Sequence, residues 1–137
     1  MNIHLDSHPA TEFFPWRLEL GPVFQGPIAI DIETNSIDPD RPWLVPPMVL
    51  AAATDGQSGV FLTRETLPPF LRTHSHTELI FHNASFDLAV INKTDPSLAI
   101  YNRVEDALVW DTRLLHRLRT LAIEGHTANQ QGQSTLE

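Results

Sequence analysis

Gly26-Pro27-Ile28-Ala29-Ile30-Asp31-Ile32-Glu33-Thr34 is an apolar run that acquires two carboxylates one residue apart. With the period of two that a strand imposes, Ile28, Ile30 and Ile32 share one face and Ala29, Asp31 and Glu33 the other. Both acids then point the same way. Gly26-Pro27 before the run, and Asn35-Ser36 with Asp38-Pro39 after it, are turn signals, so the strand is short and its acidic end opens into a loop. Two carboxylates on one side of a strand end suit a hard divalent cation, which takes oxygen ligands. The same spacing also suits an edge strand with a solvated polar face. The unbroken isoleucine side favours a central, well-buried strand.

Around this stretch the composition is that of a globular protein. The 137 residues are enough for one domain with a real core. At 42% hydrophobic and 19% charged, the chain has neither the polar bias of disorder nor an apolar run long enough to span a bilayer. The N-terminus lacks the charged-then-apolar order of a signal peptide, so the expected location is cytoplasmic, with no membrane partner. The absence of cysteine excludes disulfides, thiolate zinc sites and cysteine nucleophiles. A net charge of −8 argues against a grip on nucleic acid that rests on a basic surface. It remains compatible with carboxylates that recruit cations where a phosphate will sit.

Upstream of the acidic stretch, residues 1–22 read as a lead segment, with Phe13-Phe14-Pro15-Trp16 and Leu18-Glu19-Leu20 a short strand and turn at the domain's edge. Downstream, Ile37 to Pro47 is a proline-rich loop in which Trp43 is expected to pack over the sheet. Met48 to Thr54 and Val60 to Leu62, with Asp55-Gly56-Gln57-Ser58-Gly59 between them, read as a β-hairpin. Arg64 to His74 reads as a short helix weakened by Pro68-Pro69, and His74 and His76 as solvated histidines. Leu79-Ile80-Phe81 is a strand. Asn83 is the expected N-cap of a helix from Ala84 to about Lys93, with Phe86, Ala89 and Val90 inward. Asp87, in its first turn, either complements the helix dipole or adds a third carboxylate at the end of a neighbouring strand. Ala107 to Trp110 is a further strand. Asp111 caps a last helix, in which Leu114, Leu115, Leu118, Leu121 and Ala122 form one apolar stripe opposite Arg113, His116, Arg117 and Thr120. The arginines suit either solvent or a phosphate backbone.

With Asp31-Ile32-Glu33-Thr34 on one strand, Asn83-Ala84-Ser85-Phe86-Asp87 after a later one and Trp110-Asp111-Thr112 opening a helix, the chain resembles the DEDD 3′-to-5′ exonucleases. The resemblance covers about residues 23–137 and is greatest to the proofreading domain of family A DNA polymerases. It implies an α/β, ribonuclease H-like fold, a mixed β-sheet flanked by helices. It implies two Mg²⁺ or Mn²⁺ ions held by Asp31, Glu33 and Asp87 as catalytic residues, with Thr34, Asn83 and Phe86 on the substrate side. The implied substrate is a single-stranded DNA 3′ end, with RNA open, and the implied partner a polymerase domain of the same or a neighbouring polypeptide. The family's third motif, a fourth Asp preceded by Tyr or His, is missing. Tyr101 leads to Glu105 ahead of the last strand, His126 to Gln131 and His116 to Leu121. Ser134-Thr135-Leu136-Glu137 is a capping box with no helix after it, so residues 23–137 are expected to be the front part of a domain with impaired activity. The competing expectation is a non-catalytic nucleic-acid or protein-binding remnant of the same fold.

Overall fold

The computed structural model describes residues 12–125. Among them, strands β1 (Phe13–Pro15), β2 (Ile28–Thr34), β3 (Met48–Thr54), β4 (Gly59–Leu62), β5 (Leu79–Phe81) and β6 (Val109–Asp111) form one sheet in the order β1-β4-β3-β2-β5-β6. The β2-β3 and β3-β4 pairs are antiparallel, and β1-β4, β2-β5 and β5-β6 are parallel. Helices α1 (Leu67–Thr73), α2 (Ala84–Thr94), α3 (Tyr101–Glu105) and α4 (Thr112–Glu124) complete it. The architecture is the mixed-sheet α/β one that the ribonuclease H-like resemblance implies, and the acidic strand is central. The capping box lies outside the described residues.

Alternation decides which face is which. Ile28, Ile30 and Ile32 are buried, as are Ala51 and Ala53 of β3, Val60 and Leu62 of β4, and Leu79 and Phe81 of β5. These join Leu67, Phe70 and Leu71 of α1 and Leu88, Val90 and Ile91 of α2 in one core. The other face is open among the described residues, with Asp31, Glu33, Leu50 and Phe61 exposed on it. At the end of β2 the register slips: Glu33 pairs with Leu50 but Thr34 with Met48. The extra residue, Val49, makes a β-bulge that returns Met48 to the core.

The N-terminal strand is stitched to the sheet by aromatic packing. Phe13 lies over Gly59, its register partner, so closely that a side chain there would collide with the ring. Trp16 is buried, edge-on to Phe70 at 5.4 Å, and Leu18–Leu20 is the turn expected after the strand, a 3₁₀ one.

Four local expectations are corrected. Pro68 and Pro69 sit in the first turn of α1, where a missing N–H is no loss, so they start the helix rather than weaken it. His74 is buried, not solvated, although His76 is exposed. Its Nε2 accepts the Val23 N–H at 3.1 Å and the Phe24 N–H at 3.3 Å, and its Nδ1 donates to the Phe70 carbonyl at 2.8 Å. Trp43 is 73% exposed rather than packed over the sheet. The α4 stripe exists, but no residue of α4 is buried, because nothing among the described residues covers it.

Candidate functional site

Two elements carry the sequence-derived acids, and a third adds one. On β2, Asp31 and Glu33 leave the open face, as the strand period requires. Asp87 belongs to α2, whose buried positions Ala84, Asp87, Leu88 and Ile91 follow the i, i+3, i+4, i+7 stripe of a core-facing helix. An acid thus occupies a position where an apolar residue is expected, only 5% exposed. Its carboxylate accepts hydrogen bonds from the backbone N–H groups of Ile32 and of Asp87 itself. Ile28 N–H bonds toward β5, so Ile32 N–H points to the same side, beyond the residue where β5 ends. Asp87 fills the place a longer β5 would take.

Burial, then the Asp31 charge, push the Asp87 carboxyl up to about 7, and Asp111 adds to this; the two backbone hydrogen bonds oppose it. Every charged group acting on Asp87 is an acid. A divalent cation is the counter-charge such a field selects, and the all-oxygen donor set fits Mg²⁺ or Mn²⁺. Among the described residues, however, no three His, Asp or Glu side chains converge closely enough to hold an ion as they stand. Asp31 and Glu33 are exposed, whereas Asp87 is buried.

Asp111 does more than its sequence suggests. Its Oδ1 accepts from Arg113 N–H at 2.9 Å and Leu114 N–H at 3.2 Å, the N-cap that was expected for α4. It also accepts Asn83 N–H at 3.1 Å and Ala84 N–H, through Oδ2, at 3.0 Å. One carboxylate therefore caps two helices. Desolvation tends to raise its pKa, but hydrogen bonds from Leu114, Ala84, Asn83 and Arg113 outweigh it and hold the carboxyl below the usual range. Asn83 takes the N-cap position expected, but its side chain makes no cap bond, and its backbone is left-handed at φ 71°, a conformation Asn tolerates better than most residues. Nothing local in the sequence signals this, since Asp111 and Asn83 are brought together only by the β5-β6 pairing.

The remaining expected residues lie around the acids. Thr34 donates its hydroxyl to the Asn35 carbonyl at 2.9 Å, and Phe86 is half-buried against the core. On the open face a trough of about 490 Å³ passes over Ala29, Asp31, Ala52, Thr54, His82 and Thr112. The Thr112 hydroxyl lies 3.2 Å from the Phe81 carbonyl and 2.9 Å from His82 Nδ1. Among the described residues no helix is long and apolar enough to cross a membrane.

No protein-family model matches the sequence, and no curated protein matches it. Among solved structures the chain is similar to one described as the apo form of a nuclease, at 22% identity and TM-score 0.46, covering 64% of this chain and 44% of that one. It is also similar to the catalytic core of RRP6 from Trypanosoma brucei, at 13% identity and TM-score 0.40, over 61% of this chain. The chain spans less than half the length of these structures, 44% of the first and 25% of the second.

Proposed function

We propose that this chain carries the acidic part of a 3′-to-5′ exonuclease site that hydrolyses phosphodiester bonds at single-stranded 3′ ends, in DNA proofreading or repair. The observation that supports the reading best is the placing of Asp87, a carboxyl held in the core-facing stripe of α2 at the end of β2, within the field of Asp31. An apolar residue there would serve the fold better. A carboxyl kept at such cost is the mark of a functional site.

In this reading Asp31, Glu33 and Asp87 hold two Mg²⁺ or Mn²⁺ ions. When bound, such ions supply an activated water and stabilise the leaving 3′ oxygen. Asp87, buried in the first turn of α2, would be their anchor and would hold them as the carboxylate. Asp31 and Glu33 stay free on the open face to meet cation and terminal nucleotide together. Thr34, Asn83 and Phe86 flank the nucleotide. A polymerase domain, in the same polypeptide or a neighbouring one, delivers the end.

The sequence has no Asp after Asp111 to act as the family's fourth ligand, so the activity of this chain alone is slow. A missing ligand misplaces the attacking water, which lowers the rate on the order of 100-fold. The test is to incubate 5′-labelled single-stranded DNA, and RNA beside it, with the protein and Mn²⁺ or Mg²⁺. Slow, metal-dependent shortening from the 3′ end, abolished by Asp31→Ala, Glu33→Ala and Asp87→Ala, is expected. A preference for RNA would move the reading to RNA-end trimming on the same residues. Shortening that persists in Asp31→Ala, or no shortening of either polymer, would overturn it in favour of a contaminant or a non-catalytic module respectively.

A further inference from the structure

We propose that the cleft between the N-terminal ends of α2 and α4 grips a phosphate of single-stranded nucleic acid, with Arg113 and Arg117 as its cations. The cleft is about 240 Å³ and is lined by Asn83, Ser85, Asp111, Arg113, Leu114 and Arg117. Arg113 and Arg117 stand one turn apart on α4, so their side chains leave the same face. Among the described residues neither is ion-paired, whereas Arg41 and Arg72 each have an acid partner. In a chain of net charge −8, two unpaired guanidiniums opening on one cleft are a local reversal of sign.

The acid in the cleft does not cancel them. Asp111 spends its lone pairs on four backbone N–H groups, which spread its charge into the two helix ends. Ser85 and Asn83 add neutral donors. A guanidinium presents a planar fork that matches two phosphate oxygens, and a phosphodiester is the anion this set fits. The cleft also adjoins the candidate catalytic acids, since Ser85, which lines it, shares the first turn of α2 with Asp87. The inference thus rests on the exonuclease reading for its ligand: with a terminal nucleotide at the acids, an upstream phosphate of the same strand occupies the cleft. Such a contact fixes the strand's path and carries no base preference.

The experiment is fluorescence anisotropy with a labelled twelve-nucleotide oligothymidine, in chelator, so that binding is read without cations at the carboxylates. Three proteins are compared: the parent, Arg113→Gln/Arg117→Gln, and Arg17→Gln/Arg119→Gln, which removes the same charge from exposed positions outside the cleft. The expected result is binding by the parent, about tenfold weaker in the cleft variant, with the slope of log affinity against log salt reduced by about 0.7 for the one phosphate neutralised. The control variant keeps most of the parent affinity. Equal weakening in both variants would show bulk electrostatics, and an unchanged cleft variant or a parent that does not bind would also overturn the proposal. The cleavage assay with metal answers separately, so a failed grip and a failed nuclease give different results.

Discussion

Folding takes the Asp87 carboxyl out of water and sets it in the field of Asp31 and Asp111, which pushes it up to about 7. Its folded pKa of about 7 lies above the ordinary 3.8, so the folded state holds a proton that the unfolded chain releases. The sign follows: the stability tied to that proton is fully present below about pH 4 and is lost as pH rises through 7. Asp87→Asn, which keeps the shape without the charge, is expected to raise the melting temperature by a few degrees at pH 8, with the gain vanishing toward pH 4. Thermal melts across that range check it. Mg²⁺ or Mn²⁺ should raise the parent's melting temperature at pH 8 and leave Asp87→Asn nearly unmoved. An equal response from both would count against a cation at this carboxyl. The sequence shows Asp87 as an acid in a first turn. That it lies on the buried stripe follows from Ala84, Leu88 and Ile91 around it, but its bond to Ile32 depends on where β5 stops.

Among the elements, α2 and α4 begin at the same carboxylate. Removing it by Asp111→Ala leaves backbone donors of both helices without their partner, and with roughly 1 kcal/mol for each cap the loss in folding stability is about 2 kcal/mol. Asp111→Asn retains an acceptor oxygen and should lose less than half of that in urea denaturation. If Asp111→Ala costs no more than a single cap, the link between the helices contributes nothing. Half of this arrangement is legible in the chain, because Asp-Thr ahead of a leucine-rich periodic run is a helix start. The other half is not, since the bonds to Asn83 and Ala84 span 28 and 27 residues. For α4 the pattern of leucines was readable and the helix forms. Whether such a stripe is covered is a matter of what packs on it, and Leu114, Leu118 and Leu121 remain about half exposed among the described residues.

The whole molecule is closed on its N-terminal side by His74. Its ring stacks on Phe70 at 4.3 Å and receives the N–H groups of Val23 and Phe24, so it must be neutral at Nε2. Burial lowers its pKa below 6.5, the bond to the Phe70 carbonyl pulls the other way, and the Arg103 charge lowers it further. The contribution to stability is therefore complete above about pH 6.5 and is lost as pH falls below it, when a second ring proton would face two N–H donors. Trp16 packs on the same Phe70, and its fluorescence should shift toward that of exposed tryptophan at lower denaturant at pH 5 than at pH 7.5; His74→Phe should abolish the difference between the two. Strands were legible throughout because alternation between faces is written residue by residue. His74 was not, since its partners lie 51 and 50 residues away and a histidine among Thr and Ser looks solvated. Trp43 erred the other way, as a large apolar side chain in a loop that the fold never folds back. The parallel pairing of β1 with β4 sets an order in time as well as in space. Parallel neighbours cannot be joined by a hairpin, and the stretch from Phe13 to Gly59 contains all of β2 and β3. The β2-β3-β4 meander closes over the loop 35–47 and the tight turn 55–58, while β1 must close a longer span at a greater entropic cost. The first of these strands to be synthesised is thus the last to find its place, and Trp16 is sealed in behind it.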